Sequence, residues 1–119
     1  MRYQRGDVVL VDIPFSSGKG SKIRPAVIVQ CDHNNHRLTN TIIVSISTTT
    51  FRATREPAQL LIDPDTPEGR ASGLLALSAV TCENVATIPR RKILRVIGTL
   101  PLETMLRVDV CLKVSLGII

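Results

Sequence analysis

Aromatic side chains are nearly missing from this sequence: its 119 residues include one Tyr, two Phe and no Trp. Proteins that grip nucleic acid by stacking its bases need exposed rings, so such a partner would be held here mainly through its phosphates. Histidine is equally scarce. His33 and His36 share one polar segment and read as ordinary surface residues, which leaves no evident His-based general base. Cys31, Cys82 and Cys111 are odd in number, with no CxxC and no His at metal-ligand spacing. They read as the reduced thiols of a cytosolic protein. No apolar run approaches the roughly 18 residues needed to span a bilayer, and the start, Arg2 to Asp7, lacks the apolar stretch of a signal peptide. A Walker-type phosphate loop, a dinucleotide fingerprint, a zincin motif and a nucleophile elbow are all missing. Repeats and composition shifts are missing too, so a single domain over 1–119 is expected.

What remains is aliphatic and basic. Hydrophobic residues make up 44% of the chain and charged ones 21%, enough for a core of Ile, Val and Leu. Lys and Arg number 15 against 10 Asp and Glu, giving +5 and a pI near 9.6, a balance that suits a polyanionic partner.

The chain is organised around Lys22-Ile23-Arg24-Pro25-Ala26-Val27-Ile28-Val29-Gln30. Pro25, with its fixed φ and no N–H, suits the first position of a strand. The unbroken apolar run that follows reads as a strand buried on both faces. Arg24 would then be a cation at the start of a stiff element. Around it the sequence predicts short strands at Val8–Ile13, Thr41–Ile46, Ala58–Ile62, Leu74–Cys82 (continued past a bend by Val85–Ile88) and Leu94–Thr99. Ser16–Lys22, Asp32–Arg37 and Gly69–Gly73 read as loops or turns, and Pro89–Lys92 as a basic turn or short helix. Pro101 opens a helix over about Leu102–Leu116, which Gly117 closes. Leu102, Met105, Leu106, Leu112 and Leu116 are expected on its buried face, with Val108, Val110 and Val114 widening the apolar surface beyond one stripe. A barrel of this size covers one stripe, and a second one left wet marks an interface.

Three features carry chemistry: Arg24 beside one strand, the hydroxyls Ser47-Thr48-Thr49-Thr50 at the end of another, and Glu83 after a third. A cation for a phosphate, a hydrogen-bonding hydroxyl and a carboxylate are the ingredients of phosphodiester cleavage without a metal. Each also has an ordinary structural use, in surface ion pairs or turn hydrogen bonds.

Arg5-Gly6-Asp7-Val8, a Gly-containing loop and then Arg24-Pro25-Ala26-Val27-Ile28-Val29 resemble the N-terminal signature of the MazF/PemK toxin family. Asn40-Thr41-Ile42-Ile43-Val44-Ser45-Ile46-Ser47 is similar to that family's third-strand motif, and Cys82-Glu83-Asn84-Val85-Ala86-Thr87-Ile88 to its acidic, amide and Thr-Ile segment. The Leu-rich C-terminal helix matches too, so the resemblance spans nearly the whole chain. It implies a mainly β, SH3-like barrel with a C-terminal helix, assembled as a homodimer. It also implies a cytoplasmic type II toxin, a sequence-selective endoribonuclease that cuts single-stranded mRNA without metal or cofactor, stops translation and growth, and is neutralised by a cognate antitoxin. In the family the substrate's 2′-hydroxyl attacks the adjacent phosphorus and leaves a 2′,3′-cyclic phosphate.

On this resemblance Arg24 matches the catalytic Arg and Glu83 an acidic position that serves as general base in some members. The family's catalytic Thr falls on Ser47, or on Thr48 with the register shifted by one. Lys19, Lys22, Arg52 and Arg55 are expected to line the RNA groove, with Asn84 and Thr87 as further RNA contacts. Two departures stand out: Gly18-Lys19-Gly20-Ser21-Lys22 replaces the family's Gly-x-Glu-Gln-x-Gly, and Ser47 stands where Thr is usual. Two alternatives stay open, a non-enzymatic CcdB-like toxin that poisons gyrase and a plain nucleic-acid-binding barrel.

Overall fold

The computed structural model describes residues 2–14 and 17–119. Six strands, β1 (Asp7–Pro14), β2 (Ser21–Ile28), β3 (Asn40–Ser47), β4 (Gln59–Ile62), β5 (Ser78–Pro89) and β6 (Ile93–Thr99), form one antiparallel sheet in the order β4-β5-β3-β2-β1-β6. The sheet curls into a half-barrel. Helix α1 (Asp32–Arg37) joins β2 to β3, α2 (Pro67–Ser72) lies between β4 and β5, and α3 (Leu102–Leu116) ends the chain. The expected mainly β architecture with a C-terminal helix is therefore present.

Both faces of the sheet are apolar. Val8, Val27, Val44, Ile46, Val80 and Cys82 face Met105, Val108 and Cys111 of α3. On the other face Val9, Val11, Ala26, Ile28 and Ile43 pack with Tyr3 and Ile93. Alternating residues of β2 thus enter two cores, and Ala26, Val27 and Ile28 have no exposed surface at all. The two-sided burial read from that run holds.

Several expectations need correction. β2 begins at Ser21 rather than at Pro25, because β1 supplies partners down to Ile13–Lys22 and Pro14–Ser21. Arg24 consequently lies mid-strand, opposite Val11. β3 pairs with β2 only from Ala26 onward, so at Pro25 there is no ladder on that side for a missing N–H to break. The Gly/Ser loop expected from Ser16 shrinks to the turn before Ser21, and Ser16 itself lies outside the described residues.

Asp32–Arg37 is a short helix, not a turn. Gly69–Gly73 is no loop either. Thr66 caps α2 by accepting from the Gly69 N–H at 3.0 Å, Pro67 opens it, and Gly73 ends it with a left-handed φ of +74°. Strand β5 starts at Ser78, four residues later than expected, and does continue past a bend. Val44 opposes Val85 whereas Ser45 opposes Thr81, so Cys82, Glu83 and Asn84 have no partners on β3.

The bounds of α3 are as read from Pro101 and Gly117, but its rotation is not. Thr104, Met105, Val108 and Cys111 point inward and Leu112 is half-buried, while Leu102, Leu106 and Leu116 are exposed. The reason is polar. The Thr104 hydroxyl donates to Glu68 Oε2 of α2 at 2.7 Å, and Arg5 pairs with Asp109, so two ties fix which side of α3 faces the sheet.

Two left-handed glycines separate strain from crowding. A Cβ on Gly73 would lie 2.0 Å from the Ile97 carbonyl oxygen, whereas one on Gly117 would meet nothing within 4 Å. Gly73→Ala should therefore destabilise by about 3 kcal/mol or more, and Gly117→Ala by only about 1 kcal/mol. Urea unfolding of both variants checks the difference; equal losses would contradict it.

Candidate active site

In an antiparallel sheet directly opposed residues share a face, and every second residue returns to it. Val9, Ala26, Ser45, Thr81 and Gln59 oppose one another in turn across β1, β2, β3, β5 and β4, and so form one row. Two residues along, toward the same end of the sheet, stand Arg24 opposite Val11 and Ser47 opposite Ala79. Arg24 and Ser47 therefore share one face, where the apolar row of the second core gives way to polar side chains. Lys22, two residues before Arg24, returns to that face as well.

Glu83 stands on β5 two residues beyond Thr81, on the side of the row away from Ser47. Freed from the β3 ladder, it accepts a hydrogen bond at 2.9 Å from Nε2 of Gln59, a member of the row. Asn84 donates to Thr81 Oγ1 at 3.3 Å, and Thr81 donates to the Ser45 carbonyl at 2.8 Å. Gln59 and Thr81 are thus the supports of the acidic corner. Sequence reading passes over both; the one signal is a Gln opening the apolar run Leu60-Leu61-Ile62.

Ser47 Oγ accepts from the Thr49 N–H at 3.0 Å, which leaves its own proton free to donate outward. Thr48 lies beyond the end of β3, at a bend where strand alternation no longer applies, and is exposed. Arg24 is exposed and makes no ion pair among the described residues. Lys19, Lys22, Arg52 and Arg55 are likewise exposed and unpaired among the described residues. Lys19 sits in the turn before β2, and Arg52 and Arg55 in the tight turn that follows Ser47–Thr50. Thr87 stands apart: it opposes Ile42 on the far half of β5, on the other face from Ile43.

The cysteines take no visible part. Burial beneath α3, reinforced by the neighbouring Cys111 thiol, pushes Cys82 from the ordinary 9.0 up to about 12. Burial also raises Cys111. Both are neutral thiols at physiological pH and poor nucleophiles. Among the described residues no cluster of His, Cys, Asp and Glu is arranged to hold a metal ion, and no helix is long and apolar enough to cross a membrane.

Residues 4–116 match the family described as PemK-like, MazF-like toxin of type II toxin–antitoxin system. The chain belongs to that family. It is 29% identical over 120 residues to Endoribonuclease EndoA of Bacillus subtilis (strain 168), covering 100% of this chain and 98% of that protein. Endoribonuclease MazF of Staphylococcus epidermidis is 28% identical over 116 residues, 97% of this chain and 92% of its own. Among solved structures, a mycobacterial endoribonuclease in complex with its cognate antitoxin superposes with a TM-score of 0.76 at 21% identity, covering 99% of this chain and 98% of that one. A chain of a MazE–MazF crystal structure from Deinococcus radiodurans gives 0.71 at 14% identity, with 98% of this chain and 97% of that one covered. The structural matches establish that MazF-like proteins have this fold.

The buried thiols set an alkaline limit. A thiol whose folded pKa lies above its unfolded value stabilises the fold below the unfolded value, and that contribution fades as pH rises through the folded one. Stability should therefore decline from about pH 9 toward pH 12. In the native protein at about pH 8, below the ordinary thiol pKa, a thiol reagent should modify exposed Cys31 alone, with Cys82 and Cys111 reacting only after denaturation. Rapid modification of all three thiols in the native protein would refute this account.

Proposed function

We propose that the chain is the endoribonuclease toxin of a type II toxin–antitoxin pair, a single toxin domain over 1–119 that cleaves single-stranded RNA without a metal. The observation that carries this reading is the shared face of Arg24 and Ser47, with Glu83 at its edge, in a member of this toxin family. The RNA's 2′-hydroxyl attacks the adjacent phosphorus as Glu83 takes its proton. The P–O5′ bond breaks and the departing 5′-oxygen takes a proton from water, leaving a 2′,3′-cyclic phosphate and a 5′-hydroxyl end. Negative charge gathers on the non-bridging oxygens, and Arg24, unpaired and held mid-strand, neutralises it. Ser47 donates its free proton to the same phosphate. Gln59 orients the Glu83 carboxylate. Lys19, Lys22, Arg52 and Arg55 hold neighbouring phosphates, which makes binding steeply salt-dependent. Asn84 serves the same groove beside Glu83, whereas Thr87, on the other face of β5, lies outside it.

The toxin works as a cytoplasmic homodimer whose activity stops translation. Leu102, Leu106, Val110 and Val114, 49–77% exposed, form an unpartnered stripe along the outer side of α3 and supply the apolar surface for a second copy. A cognate antitoxin with an acidic, disordered tail covers the basic surface and folds as it binds.

Incubating the protein with a long RNA in EDTA and mapping the ends tests the chemistry. Arg24→Ala should slow cleavage by about 10²–10³ while leaving the melting temperature nearly unchanged. Ser47→Ala should be impaired and Thr48→Ala much less so. Full activity of Arg24→Ala, or loss in Thr48→Ala alone, would overturn the assignments. Sedimentation at micromolar concentration should find a dimer that Leu106→Lys with Val110→Lys converts to monomer; a monomeric wild type would rule the dimer out.

A further inference from the structure

Phe51 is 71% exposed in the turn after β3, four residues beyond Ser47. Burying such a ring removes roughly 150–250 Å² of mostly apolar surface from water, yet here it stands largely open, with the Arg52 guanidinium 5.3 Å from its centroid. The turn itself is well made. Ala53 N–H donates to Thr50 O at 3.1 Å, and Arg55 and Glu56 N–H both donate to Arg52 O, at 3.0 and 2.8 Å. Phe51, Arg52, Arg55 and Glu56 line a hollow of about 340 Å³. Tyr3 is buried in the second core, so among the described residues Phe51 is the one exposed Phe, Tyr or Trp ring.

We propose that Phe51 is the base-stacking platform of the RNA path, taking one unstacked base beyond the scissile phosphate, while Arg52 and Arg55 hold the flanking phosphates. The inference rests on the endoribonuclease reading given above and adds to it where the substrate's bases are held. Every base has a π-face, so a single ring gives binding with little dependence on base identity beyond stacking strength. The Arg52 cation beside the ring polarises the same stack and neutralises the adjoining phosphate. Charge complementarity favours RNA over an apolar protein surface here, because two arginines flank the ring and one glutamate completes the hollow.

The sequence offers a direct probe, since it contains no Trp. Phe51→Trp installs a lone indole fluorophore at the platform. Titration with 2′-O-methylated single-stranded RNA of mixed sequence, which lacks the attacking hydroxyl, should quench that fluorescence saturably. By a label-free binding assay, Phe51→Ala and Phe51→Leu should each bind the same RNA roughly ten- to hundredfold more weakly than wild type, and Phe51→Tyr should bind nearly as well. All of these variants should melt close to wild type, because the ring contributes nothing to either core. Unchanged affinity in Phe51→Ala, or an indole signal in Phe51→Trp that is indifferent to RNA, would overturn the proposal. Weakened binding in Phe51→Ala with full affinity in Phe51→Leu would assign the ring to hydrophobic contact and also overturn it. A wild-type protein that fails to cleave RNA would instead remove the endoribonuclease reading, a separate outcome that the cleavage assay detects first.

Discussion

The break in register between β3 and β5 is the constraint on which the site depends. Val44 and Ser45 are neighbours on β3, yet their partners Val85 and Thr81 stand four residues apart on β5. The three residues between must leave the ladder, and each goes somewhere specific. Cys82 sinks beneath α3, its N–H taken by the Ala58 carbonyl at 2.9 Å, while Glu83 and Asn84 emerge toward Gln59 and Thr81. Bulges of this kind sharpen strand twist and re-aim side chains. Here the irregularity bends the sheet so that one continuous strand serves both cores, and it sets a carboxylate on the face that carries Arg24 and Ser47.

The Arg5-Gly6-Asp7 segment anchors the other side. The Arg5 Nε donates to the Val29 carbonyl at 2.9 Å and its guanidinium pairs with Asp109, while Asp7 accepts from Thr99 Oγ1 at 2.9 Å. Gly6 donates to the Ile28 carbonyl and accepts from the Leu100 N–H. Three residues therefore tie β1, β2, β6 and α3 together, which gives this part of the family signature a structural role. The polar side chains of the Arg24 face, by contrast, carry little of the fold. Arg24 and Glu83 are exposed, and only Ser47 is half-buried.

Much of this is legible because it is local. The β-branched run through Ala26–Ile28 announces burial on both faces, and Pro101 and Gly117 bracket α3 at its observed ends. The cap of α2 is equally local: Thr66, Pro67 and Gly73 spell a helix start and stop, although the segment from Gly69 to Gly73 reads as loop. What sequence cannot reveal is non-local. The rotation of α3 turns on Thr104 meeting Glu68, 36 residues away, against an apolar pattern that favours another face. Sequence places Lys22 in a loop and Arg24 at a strand start, because the β1 partner that extends β2 is invisible in the run itself. The support of Glu83 by Gln59 is likewise a contact across strands, 24 residues apart.

The outer stripe of α3 has a geometric consequence. Leu102, Leu106, Val110 and Val114 recur every fourth residue, and at about 3.6 residues per turn such a row slants across the helix instead of running along it. Rows of this type lie about 26° off the axis, and when two of them interdigitate the helices cross at about −50°. Two copies meeting through this row would therefore form an X, not a bundle. Contact would concentrate at Leu106 and Val110, with the helix ends diverging. Exposed Leu116 and Ile118 would then fall outside the crossing point, leaving a wedge between the diverging ends for another chain to fill.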